Sequence, residues 1–280
     1  MRRYHFAFAL LASSSMVLSP VYSALPIDQP ALGLQCGQDS RLFSMDSLGN
    51  IATIVKPQWC GWTFAVTMDG TPLMTTERGP SYHQRPTLWK INPSTGSLTR
   101  IVSVPRNTQC IAVNPIPVPA PNGGTFQADS IFMVAQPAFN PHLLVVQPGA
   151  NIYADVGPLG NGYNWWHDAE CAFNSEGQLF MVTQTASNYR IQEVNTATGE
   201  LLRTQTLDLD IRFLESITFT DNGDLVATGV CDKLRIWAFI IDPVAGRMHQ
   251  KRLLRNTEDG QAIGRASIAI QPTAPTPDQP

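Results

Sequence analysis

The sequence predicts an all-β protein, a five-bladed β-propeller built from four-stranded antiparallel blades. Two short patterns, one a turn and the other a strand, each recur five times along the chain in a constant order. The composition agrees, because the chain has 22 Pro and 20 Gly, only 15% charged residues and no run of helix-favouring residues. Repeated units of short antiparallel strands, about 46 to 60 residues apart, are typical of propeller blades.

The recurring turn carries Asn or Asp, then often Pro, then Gly, then an apolar residue. An Asn or Asp side chain can bond its own backbone two residues on, Pro presets φ, and Gly supplies a positive φ. The three clear copies span residues 90–98, 193–201 and 240–248, and the two weaker copies span 45–51 and 146–152.

The recurring strand has a small residue, Ala four times and Thr once, between two larger and mostly apolar residues. Because successive side chains of a strand point to opposite faces, the small residue lies alone on one face. Sheets that converge on an axis leave little room for their innermost strand, and small residues fit that space. The five copies are 64–66, 111–113, 171–173, 217–219 and 268–270.

The two patterns are out of phase at the ends of the chain. The turn first appears at Asp46, before any inner strand, and the inner strand last appears at 268–270, with no turn after it. We therefore expect the C-terminal strand to join outer strands at 32–35, 42–45 and 51–55, which closes the ring and removes its open edges.

Two other architectures compete with this prediction. An open β-sandwich would require the repeats to be coincidental, and a six-bladed ring would require another blade. The longest unit, 110–159, carries a Pro-rich insert at 114–122, which we interpret as an extended loop and not as a blade.

The turn Asn92–Gly96 and the Asp-Gly hairpin at Asp69 and Gly70 resemble those of a broad superfamily of exported bacterial propellers. Its members are labelled quinoprotein amine dehydrogenase-like or YVTN-like. The resemblance covers nearly all of the mature chain. It implies blades, and it transfers no catalytic residue.

The N-terminus predicts export. Arg2 and Arg3 precede an apolar run from Phe6 to Leu18, and small residues follow at Ser23 and Ala24. This is the pattern of a cleaved signal peptide over residues 1–24. The alternative, a retained membrane anchor, needs about 20 apolar residues. We expect one propeller domain over 25–271, a disordered Pro-rich tail over 272–280, and a periplasmic or extracellular location.

The charge balance bears on the partners. Residues 25–280 hold 17 basic and 22 acidic residues, a net charge of −5. A nucleic-acid partner would require a basic surface, so we expect none. We also expect a monomer with no segment that spans a membrane.

An odd number of cysteines, five, leaves at least one outside any intrachain disulfide. Cys36 and Cys60 should both lie where the ring closes, so we predict a disulfide between them, with Cys60–Cys110 as the alternative. We expect Cys171, at a large-residue position of an inner strand, to be a buried thiol.

The inter-blade loops hold the candidate binding residues, because four of the six Trp residues lie in two of them. Aromatic faces beside carboxylates suit sugar rings and other small polar ligands. The candidates for ligand binding are Trp59, Trp62, Tyr82, His83, Trp165, Trp166, Arg212 and Arg265. They predict an exported binding or interaction module whose site lies over the central opening and takes a small polar ligand, a glycan or a protein partner.

The alternative is a hydrolase or lyase that acts on a carbohydrate or lactone. Its acids and bases would be His167, Asp168, Glu170 and Glu215. Paired carboxylates can perform general acid–base catalysis. The same oxygens suit Ca²⁺, although no cofactor is expected. The four His residues after position 24 show no paired spacing of the kind that binds zinc, so we predict no metal site.

Overall fold

Each of five blades has four antiparallel strands, and a short parallel strand extends the outer edge of the blade where the ring closes, so the predicted five-bladed all-β propeller is confirmed and the sandwich and six-bladed alternatives are wrong. The protein is represented by a computed structural model. It describes residues 24–27, 31–36, 40–76, 86–105, 107–136, 140–160, 169–184, 188–231, 235–258, 260, 263 and 265–272.

The strands are named in chain order and grouped here by blade. Blade 1 holds β1 (Ala31–Gln35), β2 (Arg41–Met45), β3 (Asn50–Val55), β22 (Arg255–Asn256) and β23 (Ala266–Ala269). Blade 2 holds β4 (Thr63–Val66), β5 (Pro72–Thr76), β6 (Thr87–Ile91) and β7 (Leu98–Ser103). Blade 3 holds β8 (Cys110–Val113), β11 (Ile131–Ala135), β12 (His142–Val146) and β13 (Ala154–Pro158), with β9 (Val118–Pro119) and β10 (Thr125–Phe126) between β8 and β11.

Blades 4 and 5 are uninterrupted four-stranded meanders. Blade 4 holds β14 (Ala169–Phe173), β15 (Leu179–Gln184), β16 (Tyr189–Val194) and β17 (Leu201–Leu207). Blade 5 holds β18 (Phe213–Phe219), β19 (Leu225–Val230), β20 (Ile236–Asp242) and β21 (Arg247–Leu253).

The ring closes as the repeats predict. C-terminal strand β23 pairs antiparallel with N-terminal strand β1, with Gly33 opposite Ile268. The inner strands β4, β8, β14, β18 and β23 each contact the next one round the ring, and β23 contacts β4. Their small residues border a cavity of about 60 Å³ at the axis. These residues are Ala65, Ala112, Ala172, Thr218 and Ala269.

The recurring turns have the predicted hydrogen bonds. The Oδ1 atom of Asn92 accepts from Ser94 N at 2.9 Å, and that of Asp242 accepts from Val244 N at 2.8 Å. Each turn therefore satisfies its own backbone, which is why the same sequence pattern recurs.

The turns also join neighbouring blades, which the pattern did not predict. Three turn glycines accept a hydrogen bond from the chain that leaves the preceding blade's outer strand: Gly96 from Gln58 N, Gly246 from Asp208 N, and Gly49 from Arg255 N. The last of these contacts lies beside β22, which pairs parallel with β3. Sheet twist explains the contact, because it rotates each outer strand toward the next blade.

The Pro-rich insert is not a blade, as predicted, but the expectation of an extended loop is wrong in part. Strands β9 and β10 pair as a short hairpin. The hairpin contacts blade 4, where Thr196 Oγ1 donates to Pro119 O at 2.9 Å. Apolar side chains such as Val118, which is 2% exposed, gain burial when the insert folds back.

Two disulfides are present. Cys36 and Cys60 are bonded, with their Cα atoms 5.5 Å apart, as predicted from the closure of the ring. Cys110 is bonded to Cys171, with Cα atoms 5.7 Å apart, so both the alternative Cys60–Cys110 pairing and the buried Cys171 thiol are wrong. The reason is tertiary, because the ring places β8 beside β14. Cys231 belongs to neither disulfide.

The first described residues pack against blade 1. Leu25 is 2% exposed and its N–H donates to Ser47 O at 2.8 Å. Residues 1–23 of the predicted signal peptide and residues 273–280 of the predicted tail lie outside the described residues. Among the described residues there is no helix with the length and hydrophobicity to span a bilayer.

Candidate functional site

Two adjacent cavities lie among the inter-blade loops and share the residues Trp62, Glu215 and Arg265; we call them together the cleft. The larger, of about 340 Å³, is bordered by Leu34, Cys36, Cys60, Gly61, Trp62, Thr63, Phe64, Glu215, Arg265, Ala266 and Ser267. The smaller, of about 110 Å³, is bordered by Trp62, Asn107, Thr108, Gln109, Glu170, Leu214, Glu215 and Arg265.

The loop that carries Trp62 is held at several points. Gln58 N donates to Gly96 O at 3.2 Å, and Trp62 N donates to Thr75 O at 2.8 Å. The Cys36–Cys60 disulfide ties the loop to the end of β1. Gly61 packs against the Thr75 backbone, where a Cβ atom would overlap Thr75 O.

This anchoring leaves the Trp62 side chain 61% exposed at the edge of the cleft. A large apolar ring has an unfavourable free energy in contact with water, of about 25 cal/mol per Å². An exposed Trp on a tethered loop is therefore a surface on which a ligand can stack at little entropic cost.

Glu215 reaches the cleft because of a bulge in β18. The register between β18 and β19 shifts between Leu214 and Ser216, so the regular alternation of side chains breaks at Glu215. Bulges commonly redirect a side chain near a functional site. The Glu215 side chain is 8% exposed, and its backbone carbonyl accepts from Ser267 Oγ at 2.9 Å.

Arg265 lies against this buried carboxylate. Its Nε atom is 2.8 Å from Glu215 Oε1 and 3.1 Å from Oε2. Among the described residues these are the hydrogen bonds that the guanidinium makes, and the Arg265 side chain is 59% exposed. The carboxylate therefore orients the guanidinium through Nε, and the terminal amino groups can still donate to a ligand.

Glu170, at the start of β14, is half-buried and borders the smaller cavity. The structure thus brings Glu170 and Glu215, from the inner strands of blades 4 and 5, to one cavity. Glu215 forms its ion pair with Arg265 at this cavity.

The other candidates from the sequence lie elsewhere or cannot be placed. Trp59 is 39% exposed but does not border either cavity, and Arg212 lies over the Phe213 ring, 5.2 Å from its centroid. Six candidates lie outside the described residues: Tyr82, His83, Trp165, Trp166, His167 and Asp168. Across the described ranges, no three His, Cys, Asp or Glu side chains form a group that could hold a metal ion.

The sequence did not point to the cleft residues Asn107, Thr108 and Gln109, which precede β8. They are neutral and not aromatic, so no chemical signal distinguished them from an ordinary connection. They lie directly before an inner strand, as the Trp62 loop does. This shared position is the sequence signal that could have identified them.

Comparison with known proteins supports the fold. No family model and no curated protein matches this sequence. A chain of a nidogen/laminin complex superposes with a TM-score of 0.51 at 10% identity, over 86% of this chain and 98% of that one. A protein assigned as a TolB of Agrobacterium tumefaciens superposes with a TM-score of 0.50 at 10% identity, over 88% of this chain and 89% of that one.

TolB from Acinetobacter baumannii is 16% identical, with a TM-score of 0.46, over 80% of this chain. This chain spans about half of that protein, 52% of its length. At such identities the likeness shows the fold alone. The two superpositions with TM-scores of 0.50 and 0.51 agree with the propeller fold that the turns predict.

Proposed function

We propose that this chain is an exported binding module that holds a small polar ligand in the cleft of Trp62, Glu215 and Arg265. The observation that carries the proposal is the pairing of an exposed, tethered Trp with a guanidinium oriented by a buried carboxylate. Small-molecule sites are concave, mostly apolar and provided with a few oriented polar groups. The larger cavity, at about 340 Å³, is in the size range of such sites.

Export is part of this proposal. Disulfides persist in oxidising compartments and are rare in the cytosol. The chain has two of them, and its first 24 residues have the pattern of a signal peptide. We therefore place the mature protein in the periplasm or outside the cell, where it would act as a monomer.

A ligand screen by thermal shift tests the proposal. The panel contains sugars, peptidoglycan fragments, small carboxylic acids and Ca²⁺, and hits are confirmed by isothermal titration calorimetry. Trp62→Ala should abolish the stabilisation by any hit, whereas Trp59→Ala should preserve it, because Trp59 is an exposed Trp of the same loop that does not border the cleft. Equal effects of the two variants would overturn the assignment of the site.

A second candidate function is hydrolysis or elimination on a carbohydrate or lactone. It is favoured by one observation, that Glu170 and Glu215 border the same small cavity. The test is turnover of chromogenic glycosides and lactones by the protein, with Glu170→Gln as the variant. Turnover that Glu170→Gln removes would favour the enzyme, and binding without turnover would favour the module.

A further inference from the structure

We infer that the ligand of the cleft is a small carboxylic acid with an apolar body, and that Arg265 binds its carboxylate. The inference rests on the proposed function and goes beyond it by naming the chemical class. Its basis is the larger cavity, where one oriented cation lies on an otherwise mainly apolar wall.

The guanidinium is organised for a planar anion. Both of its bonds to Glu215 use Nε, at 2.8 and 3.1 Å, so the end of the guanidinium, where the two terminal amino groups present parallel N–H groups, makes no bond to that partner. Arginine binds carboxylates with two parallel N–H···O bonds, and such charge-assisted bonds are about twice as strong as neutral ones. A guanidinium held by a buried carboxylate loses less side-chain entropy when it binds.

The rest of the wall favours an apolar body over a sugar. Leu34, the Cys36–Cys60 disulfide and Phe64 contribute apolar surface, and Trp62 covers one side. The two hydroxyls of this wall already have protein partners. Thr63 Oγ1 is 2.8 Å from Thr75 Oγ1, and Ser267 Oγ donates to Glu215 O. A sugar with several hydroxyl groups would find few partners here, whereas an aromatic or aliphatic acid needs only one polar contact.

Charge favours a carboxylate over a phosphate. Among the described residues that border the larger cavity, Arg265 is the basic residue, and Glu215 partly offsets its charge. A monoanion matches this local balance better than a dianion, which would need a second cation for comparable stabilisation.

The experiment uses isothermal titration calorimetry on the mature protein with a panel of aromatic and aliphatic monocarboxylic acids. Each acid is paired with its primary amide, which has the same shape and no charge, and neutral sugars are included. We expect at least one acid to bind about tenfold or more tightly than its amide, because hydrogen bonds to charged groups contribute about 1.5–3 kcal/mol. Benzyl phosphate should bind more weakly than the matching acid.

Variants assign the preference to Arg265. Arg265→Gln should remove the difference between acid and amide, and Arg265→Lys, which retains the charge but loses the fork, should reduce it. Arg212→Gln is the matched control, because Arg212 lies on Phe213 and not on the wall of either cavity. Circular dichroism and thermal melting of each variant show that it is folded, so a lost preference is attributable to the side chain.

The outcomes are distinguishable. If neutral sugars bind in a Trp62-dependent manner and no acid exceeds its amide, the binding module stands and the carboxylate inference is wrong. If an acid is preferred equally by Arg265→Gln and the unchanged protein, the inference is also wrong. If no compound binds, both the inference and the proposed function fail.

Discussion

The peripheral turns and the inter-blade loops are held in place by different kinds of contact, made by different residues. The turns satisfy their backbone internally through an Asn or Asp side chain, and their glycines touch the neighbouring blade through backbone alone. The inter-blade loops carry the exposed Trp side chains. The two disulfides and the Glu215–Arg265 ion pair are found in these loops or in the adjoining strands.

The difference shows why one region repeats and the other does not. A contact made by backbone requires glycine at each turn that meets the next blade, so these turns share a recognisable pattern. A contact made by side chains can use a different residue in each loop. The loops around the cleft are held by a disulfide and an ion pair as well as by hydrogen bonds to neighbouring segments. Four measurements test this contrast, in order of decreasing effect.

The disulfide between inner strands should make the largest contribution to stability. Replacing Cys110 and Cys171 together by Ala removes a disulfide whose cysteines are 61 residues apart. In the chain-entropy model such a disulfide contributes about 4 kcal/mol to the free energy of unfolding. Urea unfolding followed by tryptophan fluorescence measures the loss. Cys231→Ala, which removes a cysteine outside both disulfides, is the control and should cost much less. An unchanged urea midpoint for the double variant would contradict the prediction.

The disulfide beside the cleft should affect both stability and binding. Replacing Cys36 and Cys60 by Ala removes a disulfide whose cysteines are 24 residues apart, which contributes about 3.5 kcal/mol to the free energy of unfolding in the same model. It also releases the loop that positions Trp62, so affinity for any cleft ligand should fall at a temperature where the variant is still folded. Calorimetry gives the affinity. The Cys110 and Cys171 variant is the comparison, since neither cysteine borders the larger cavity and affinity there should be retained while stability falls.

The turn glycines provide an internal test of the contact between blades. A Cβ atom on Gly199 would lie 2.6 Å from Gly157 O of blade 3, whereas one on Gly149 would meet nothing within 4 Å. Both residues have positive φ, so both Ala variants cost about 1 kcal/mol for backbone strain. Gly199→Ala should lose about 2 kcal/mol more through overlap. Equal urea midpoints for the two would show that the turns do not join the blades.

The smallest effect should appear in the hairpin of blade 2. The Thr67 hydroxyl and the Thr71 backbone N–H donate to Asp69, and these bonds lower the pKa of its carboxyl below the ordinary 3.8. A carboxyl with a lowered folded-state pKa adds stability at neutral pH, and loses that contribution as the pH falls below about 4 through the folded-state pKa. Asp69→Asn should cost about 1 kcal/mol at pH 7.

Urea unfolding at several pH values checks this sign. The difference between Asp69→Asn and the unchanged protein should shrink as the pH falls below about 4. Glu176→Gln is the matched variant, because Glu176 occupies the same position in the blade 4 hairpin and also loses its charge. A difference for Asp69→Asn that stays constant down to pH 2 would exclude the carboxylate as its source.

Much of the fold could be predicted because its cause is local. Turn chemistry at Asn92 and Asp242 depends on a few neighbouring residues, and the small residue of each inner strand follows from the alternation of side chains. Counting these repeats gave the blade number, the closure by 268–270 and, through closure, the Cys36–Cys60 pair.

The candidate site was less predictable because its causes are not local. The sequence pointed to Trp62, Glu170, Glu215 and Arg265 one by one, from residue type and position in inter-blade loops. It did not indicate the bulge that turns Glu215 toward Arg265, since a bulge depends on the partner strand. Nor did it indicate the Cys110–Cys171 bond, whose cysteines are 61 residues apart.

The repeating unit, the number of blades and the closure of the ring can be inferred from the amino-acid sequence alone, because they follow from periodicity and turn chemistry along the chain. The folded ring is needed to show which loops meet in the cleft, which cysteines pair between blades and how Arg265 is oriented. These depend on distances between segments far apart in sequence, and the closed ring is what sets those distances.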